Sequence, residues 1–160
     1  MPQGVYTGMW TRLGMTVIAA TVVFMGGCAT SIVDSTVSNK TNWRLSGDFH
    51  DAAKAADGYI GTAASSGDNP TASIIIDLGK PCMFNTIILD HGPDNEHNFP
   101  NRLSVVTSYD GRAWTNVYVV QGTRRITYIP LLTPTLARYI RLQTLVKNDE
   151  PWTIAEIYLQ

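Results

Sequence analysis

The chain has 160 residues, room for one domain, and any removable leader shortens it further. It is 44% hydrophobic and 16% charged with 13 Gly and 8 Pro, which suits a turn-rich globular fold and argues against disorder. The formal net charge of -1 mixes both signs along the chain, so no cationic face is available for DNA, RNA or an acidic membrane.

Met1 to Gly14 carries Arg12 as its only charged side chain, and Met15 to Met25 (MTVIAATVVFM) is an apolar run. This is the profile of a signal peptide; a permanent bilayer span takes about 20 apolar residues and this run is shorter. It leads into Met25-Gly26-Gly27-Cys28, which resembles the lipobox of bacterial lipoproteins: a larger apolar residue, two small ones, then the cysteine that takes the lipid. The resemblance implies removal of residues 1–27 and a lipid anchor on Cys28. Ala29 rather than Asp follows, which implies export to the outer membrane in a diderm cell. An ordinary secretory signal cut nearby is the alternative. Residues 28–42 then form a lipidated N-terminus and small, polar tether (ATSIVDSTVSNKTN from Ala29), and the domain occupies residues 43–160.

Within the domain, β-branched and apolar runs follow at short intervals: Ser73 to Leu78, Phe84 to Leu89, Leu103 to Thr107, Trp114 to Val120, Arg125 to Ile129, Tyr139 to Leu145 and Thr153 to Leu159. Gly79-Lys80-Pro81, Gly92-Pro93-Asp94-Asn95, Asp110-Gly111 and Lys147-Asn148-Asp149 separate them with turn chemistry. In Arg138 to Leu142, Tyr139 and Arg141 share one face while Ile140 and Leu142 share the other, the period-two pattern of a half-buried strand. Asp51 to Ala56 has room for one helical turn. The expected fold is an all-β antiparallel sandwich.

Five segments, in order, make the reading more specific: Asp57-Gly58 with Thr62; Ile76-Asp77-Leu78-Gly79; Ser108-Tyr109-Asp110-Gly111-Arg112-Ala113-Trp114; Ala137 to Leu142; and Trp152 to Ile157. Together they resemble the discoidin family, the coagulation factor 5/8 type C domain, which overlaps carbohydrate-binding module family 32. The resemblance runs from Trp43 to Leu159 and implies a galactose-binding-domain-like jelly roll of roughly eight strands. Asp110-Gly111 then makes a hairpin turn, with Trp114 as an apolar plug over the sandwich end.

The resemblance also implies a structural Ca²⁺. Its ligands are the carbonyls of Lys54, Tyr59 and Ala155, the carboxylates of Asp57 and Glu156, and Thr62 through hydroxyl or carbonyl. Such an ion takes roughly 6 to 8 oxygens. Glu156 lies in an otherwise apolar strand, where a lone carboxylate is costly to bury without a partner. A bare Asp57-Gly58 turn with Glu156 in solvent is the alternative.

A sugar site needs an aromatic face and planar polar groups. His91 to Arg102 (HGPDNEHNFPNR) offers both, with His91, Asn95, Asn98, Phe99 and Arg102 as candidate ligands and His50, beside Phe49, as a neighbouring wall. Long loops in compact domains are often functional. The bland alternative is a solvated loop with Phe99-Pro100 packed under the sandwich. In sugar-binding relatives a Trp and often a His follow the metal-turn Thr; here Thr62 is followed by Ala63, Ala64 and Ser65. No G-x-S-x-G, H-E-x-x-H or C-x-x-C is present, so a binding module rather than an enzyme is expected. Its partner is a carbohydrate or, failing that, an envelope protein. Cys82, a lone cysteine between strands, is expected to be a small buried apolar residue.

Overall fold

A computed structural model describes residues 39–160; the leader, the lipobox cysteine Cys28 and most of the tether lie outside the described residues. The strands are β1 (Arg44–Gly47), β2 (Ala64–Ser65), β3 (Ser73–Asp90), β4 (Leu103–Ser108), β5 (Thr115–Val120), β6 (Ile126–Thr144), β7 (Thr153–Ile154) and β8 (Glu156–Leu159). All pairings are antiparallel. The fold is the expected β-sandwich.

Two long strands build both layers. The first half of β3 pairs with β1 and with the second half of β6, which continues to β4 and β5. The second half of β3 pairs with the first half of β6 and with β8. Two predicted runs therefore fuse into β3, and two more into β6. Gly79-Lys80-Pro81 is a kink within β3, not a turn: the register shifts between Asp77 and Cys82, where Pro81 has no N–H for the ladder. The short strands β1 and β2 carry no strong apolar pattern and were not anticipated.

Between the layers, Ile74, Ile76, Leu103, Val105, Ile140 and Leu142 face Ile87, Leu89, Ile129 and Ile157, all fully buried. Each such side chain contributes about 1.5–3 kcal/mol relative to exposure. Trp152 is also fully buried, with Phe49 edge-on at 4.9 Å. Cys82 is buried, as expected, and burial pushes its thiol pKa up. Asp110 organises its turn by accepting the Arg112 and Ala113 amides at 2.8 and 3.0 Å. Trp114 is not a core plug: it lies half-buried against Tyr139, with the Arg141 guanidinium 4.8 Å from its ring centroid. It directly precedes β5, the strand at the sheet edge.

The last residues of the expected tether are part of the domain. Lys40–Asn42 form a 3-10 turn, capped by the Asn39 side chain accepting the Thr41 amide at 3.0 Å, and Trp43 is buried behind it.

Candidate functional site

The expected metal turn follows the 3-10 turn Ala52–Ala56. Asp57 Oδ1 accepts the Tyr59 amide at 2.8 Å and Oδ2 accepts the Thr62 hydroxyl at 2.7 Å. The Tyr59 carbonyl accepts the Thr62 amide at 3.2 Å and stands 3.0 Å from the Thr62 hydroxyl. The Thr62 hydroxyl, then the Tyr59 amide, hold Asp57 below the usual carboxylate range. Gly58 takes the positive φ of 85° that this tight turn requires.

β8 runs back along β3 and delivers Glu156 opposite Asp90, which carries the last strand to the turn near the start of the domain. Glu156 is 1% exposed; its Oε1 accepts the Gly58 amide and its Oε2 pairs with the Lys40 ammonium. Glu156 and the Lys40 ammonium lie near enough to Asp57 to add to the lowering of its pKa. Two carboxylates, a hydroxyl and the Tyr59 carbonyl thus converge. Ala155 is buried beside them with its amide bonded to the Asp90 carbonyl. The Lys54 side chain points to Asp51 at 2.7 Å. Among the described residues, no three His, Cys, Asp or Glu side chains gather into a metal cluster. Lys40 escaped the sequence analysis because nothing local links it to a residue so far along the chain.

The candidate ligand loop is divided. His91 is not a sugar contact: it is fully buried. Its Nδ1 lies 2.7 Å from the Thr153 carbonyl and its Nε2 2.8 Å from the Thr127 hydroxyl. A carbonyl only accepts, so Nδ1 carries the proton and Nε2 accepts. Burial lowers the imidazole pKa from its ordinary 6.5. Phe99 is half-buried, its ring 6.3 Å from that of His91. Pro100 is buried and its carbonyl accepts the Gly122 amide at 3.1 Å. The Asn98 carbonyl accepts the Thr153 amide at 2.9 Å. Asn95 closes a turn on the Gly92 carbonyl at 3.2 Å, and Glu96 pairs with Arg124. Arg102 is exposed at the end of the loop.

A neighbouring cleft opens between Ser66–Pro70 and Lys147–Pro151. It encloses about 330 Å³, within the roughly 300–1,000 Å³ of small-molecule sites. Asp68, Lys147, Asp149 and Glu150 are exposed along it. Its floor is tied to the core, for Ser66 Oγ accepts the Trp152 amide at 2.9 Å and Ser66 donates to the Trp152 carbonyl at 2.8 Å. Asn101 borders it, donating from its amide to Asn148 Oδ1 at 2.9 Å and from its side chain to the Lys147 carbonyl at 3.2 Å. His50, exposed, borders the other side: a Cβ on Gly67 would stand 3.2 Å from its Nε2. The fold thus sets His50 beside Gly67 and Asn101 beside Lys147 and Asn148 at the rim of this cleft, while His91 turns inward. The clustered Gly-Asp-Asn-Pro and Lys-Asn-Asp-Glu-Pro segments were the available sequence signal.

Comparisons with known proteins agree with this architecture. No curated protein matches the chain. Among solved structures, CpGH89CBM32-5 from Clostridium perfringens, in complex with GalNAc-β-1,3-galactose, superposes with a TM-score of 0.66 at 17% identity, covering 74% of this chain and 94% of that one. The family 32 module from C. perfringens NanJ, in complex with galactose, gives 0.65 at 17%, covering 75% and 94%. Chitosan-binding module 1 from a chitosanase/glucanase of Paenibacillus sp. IK-5 gives 0.63 at 22%, covering 74% and 95%. The F5/8 type C domain model matches residues 33–157, and the chain belongs to that family.

Proposed function

We propose that this protein is a carbohydrate-binding module that holds its ligand without transforming it, anchored to the cell envelope through a lipid on Cys28. The observation that carries the reading is the open polar cleft at one end of the sandwich. Carboxylates, amides and an ammonium group line it, with His50 at its rim, and groups of these kinds hydrogen-bond sugar hydroxyls. Solved relatives of this fold were crystallised with galactose-containing ligands, and another is a chitosan-binding module. The carboxylates Asp68, Asp149 and Glu150 favour a ligand bearing amino or hydroxyl groups over an acidic sugar.

A structural Ca²⁺ belongs to the same reading. Asp57 and Glu156 supply two negative charges, one of them buried, and Thr62 and the Tyr59 carbonyl add oxygens in the same turn. That donor set is all oxygen, the preference of a hard cation. Lys54 and Ala155 complete the set through their carbonyls. The ion would join the two ends of the domain.

The test is binding of residues 29–160 to a broad glycan array in calcium. Binding to neutral or amino sugars is expected; signal no higher than background across the array would remove the carbohydrate reading and leave an envelope protein as partner. The exposed apolar side chains of Met83, Leu132 and Leu136, two of them directly paired across β3 and β6, favour that second reading.

A further inference from the structure

The expected calcium position already contains a positive charge. The Lys40 ammonium pairs with Glu156 Oε2 and lies 4.2 Å from the centre of the Tyr158 ring, a cation–π contact. Its side chain is only 17% exposed. The backbone beneath it is fixed by the Asn39 cap and by the Trp43 amide donating to the Lys40 carbonyl at 2.9 Å. Asn39, Lys40 and Thr41 form one wall of a cleft whose other wall is Ala56, Asp57, Gly58, Glu156 and Tyr158.

We infer that Lys40 is the chain's own cation for Glu156 and that calcium and Lys40 exclude one another, so that calcium uptake undocks the segment leading into the domain. The inference rests on the calcium reading above. Ca²⁺ sits roughly 2.3–2.6 Å from its oxygens, so an ion on Glu156 Oε2 and an ammonium hydrogen-bonded to the same atom would place two positive charges in direct contact. Charge counting gives the direction. Lys40 neutralises one of the two carboxylates, whereas calcium neutralises both. Each state is therefore self-consistent, and they differ in where Asn39–Asn42 is held: against β8 when Lys40 is the cation, released when calcium is. In an anchored protein this segment joins the membrane end of the chain to the binding domain, so the exchange would set how freely the domain is displayed.

Calorimetric titration of the full chain with calcium chloride tests the inference on wild type and Lys40→Met. The variant is expected to bind calcium about tenfold more tightly or better, because a competing charge is gone; uptake by the variant alone is the same result in its extreme form. Equal affinities would overturn the competition and leave the calcium site standing. Uptake by neither protein would overturn both. A footprint of the wild type with an amine-reactive ester needs no variant. Calcium should raise Lys40 labelling several-fold while the exposed Lys80 and Lys147 stay constant. Constant Lys40 labelling at saturating calcium would end the inference.

Discussion

Two neighbouring loop regions, both rich in Asn, Asp and Glu, behave in opposite ways. In His91 to Arg102 the fold engages polar groups at the start of the loop and at its middle: His91 bridges Thr127 and Thr153, Glu96 holds Arg124, and Asp90 just before it holds Arg125 through two contacts at 3.0 and 3.3 Å. In Ser66–Pro70 and Lys147–Pro151 the backbone is tied down while Asp68, Lys147, Asp149 and Glu150 remain exposed. Polar density alone does not distinguish a loop that completes a core from one that presents groups to a ligand. What distinguishes them is whether buried partners lie within reach, since buried polar groups must be satisfied.

Substitutions should separate these two stretches. The largest effect is expected from Gly122→Ala, whose new Cβ would stand 2.0 Å from the Pro100 carbonyl oxygen and push the His91–Arg102 loop off the sandwich. A loss of about 3 kcal/mol is expected in urea unfolding; an unchanged midpoint would mean that this loop is not pinned. Next is His91→Asn, which breaks contacts to Thr127 and Thr153 and should cost about 2 kcal/mol. This residue also gives a pH signature. Its imidazole pKa is lowered in the folded protein, so the unfolded chain binds the proton more readily. The stability it contributes is complete above its unfolded pKa of about 6.5 and falls as pH drops from there toward the folded value. The melting temperature of wild type should therefore begin to decline below about pH 6.5, and His91→Asn should flatten that part of the curve. The smallest effect on stability is expected in the cleft. Asp149→Ala combined with Glu150→Ala should leave the melting temperature in place yet weaken binding of the glycan found on the array by about tenfold. Unchanged binding would move the ligand elsewhere on the domain.

The candidate site was legible in part. Asp57, Tyr59 and Thr62 lie within one turn, where the family resemblance grouped them, and the apolar run around Glu156 marked its carboxylate as needing a partner. Lys40 could not be read in the same way: it sits in a polar stretch and meets Glu156 only because β8 returns alongside β3. His91 misled for the complementary reason. It opens a polar loop in sequence, but its neighbours in space are Thr127 on β6 and Thr153 on β7, which enclose it.

By itself the sequence determined the alternation that makes strands, the turn chemistry between them, the sandwich class and its family, because each depends on residues close together or in a fixed order. Only the tertiary structure decided that four of the predicted runs are halves of two long strands, since fusion depends on a register carried across Pro81 by a bulge. It also decided which polar groups are enclosed and which cation meets Glu156. Burial and charge pairing are properties of the packed layers, and no local pattern specifies them.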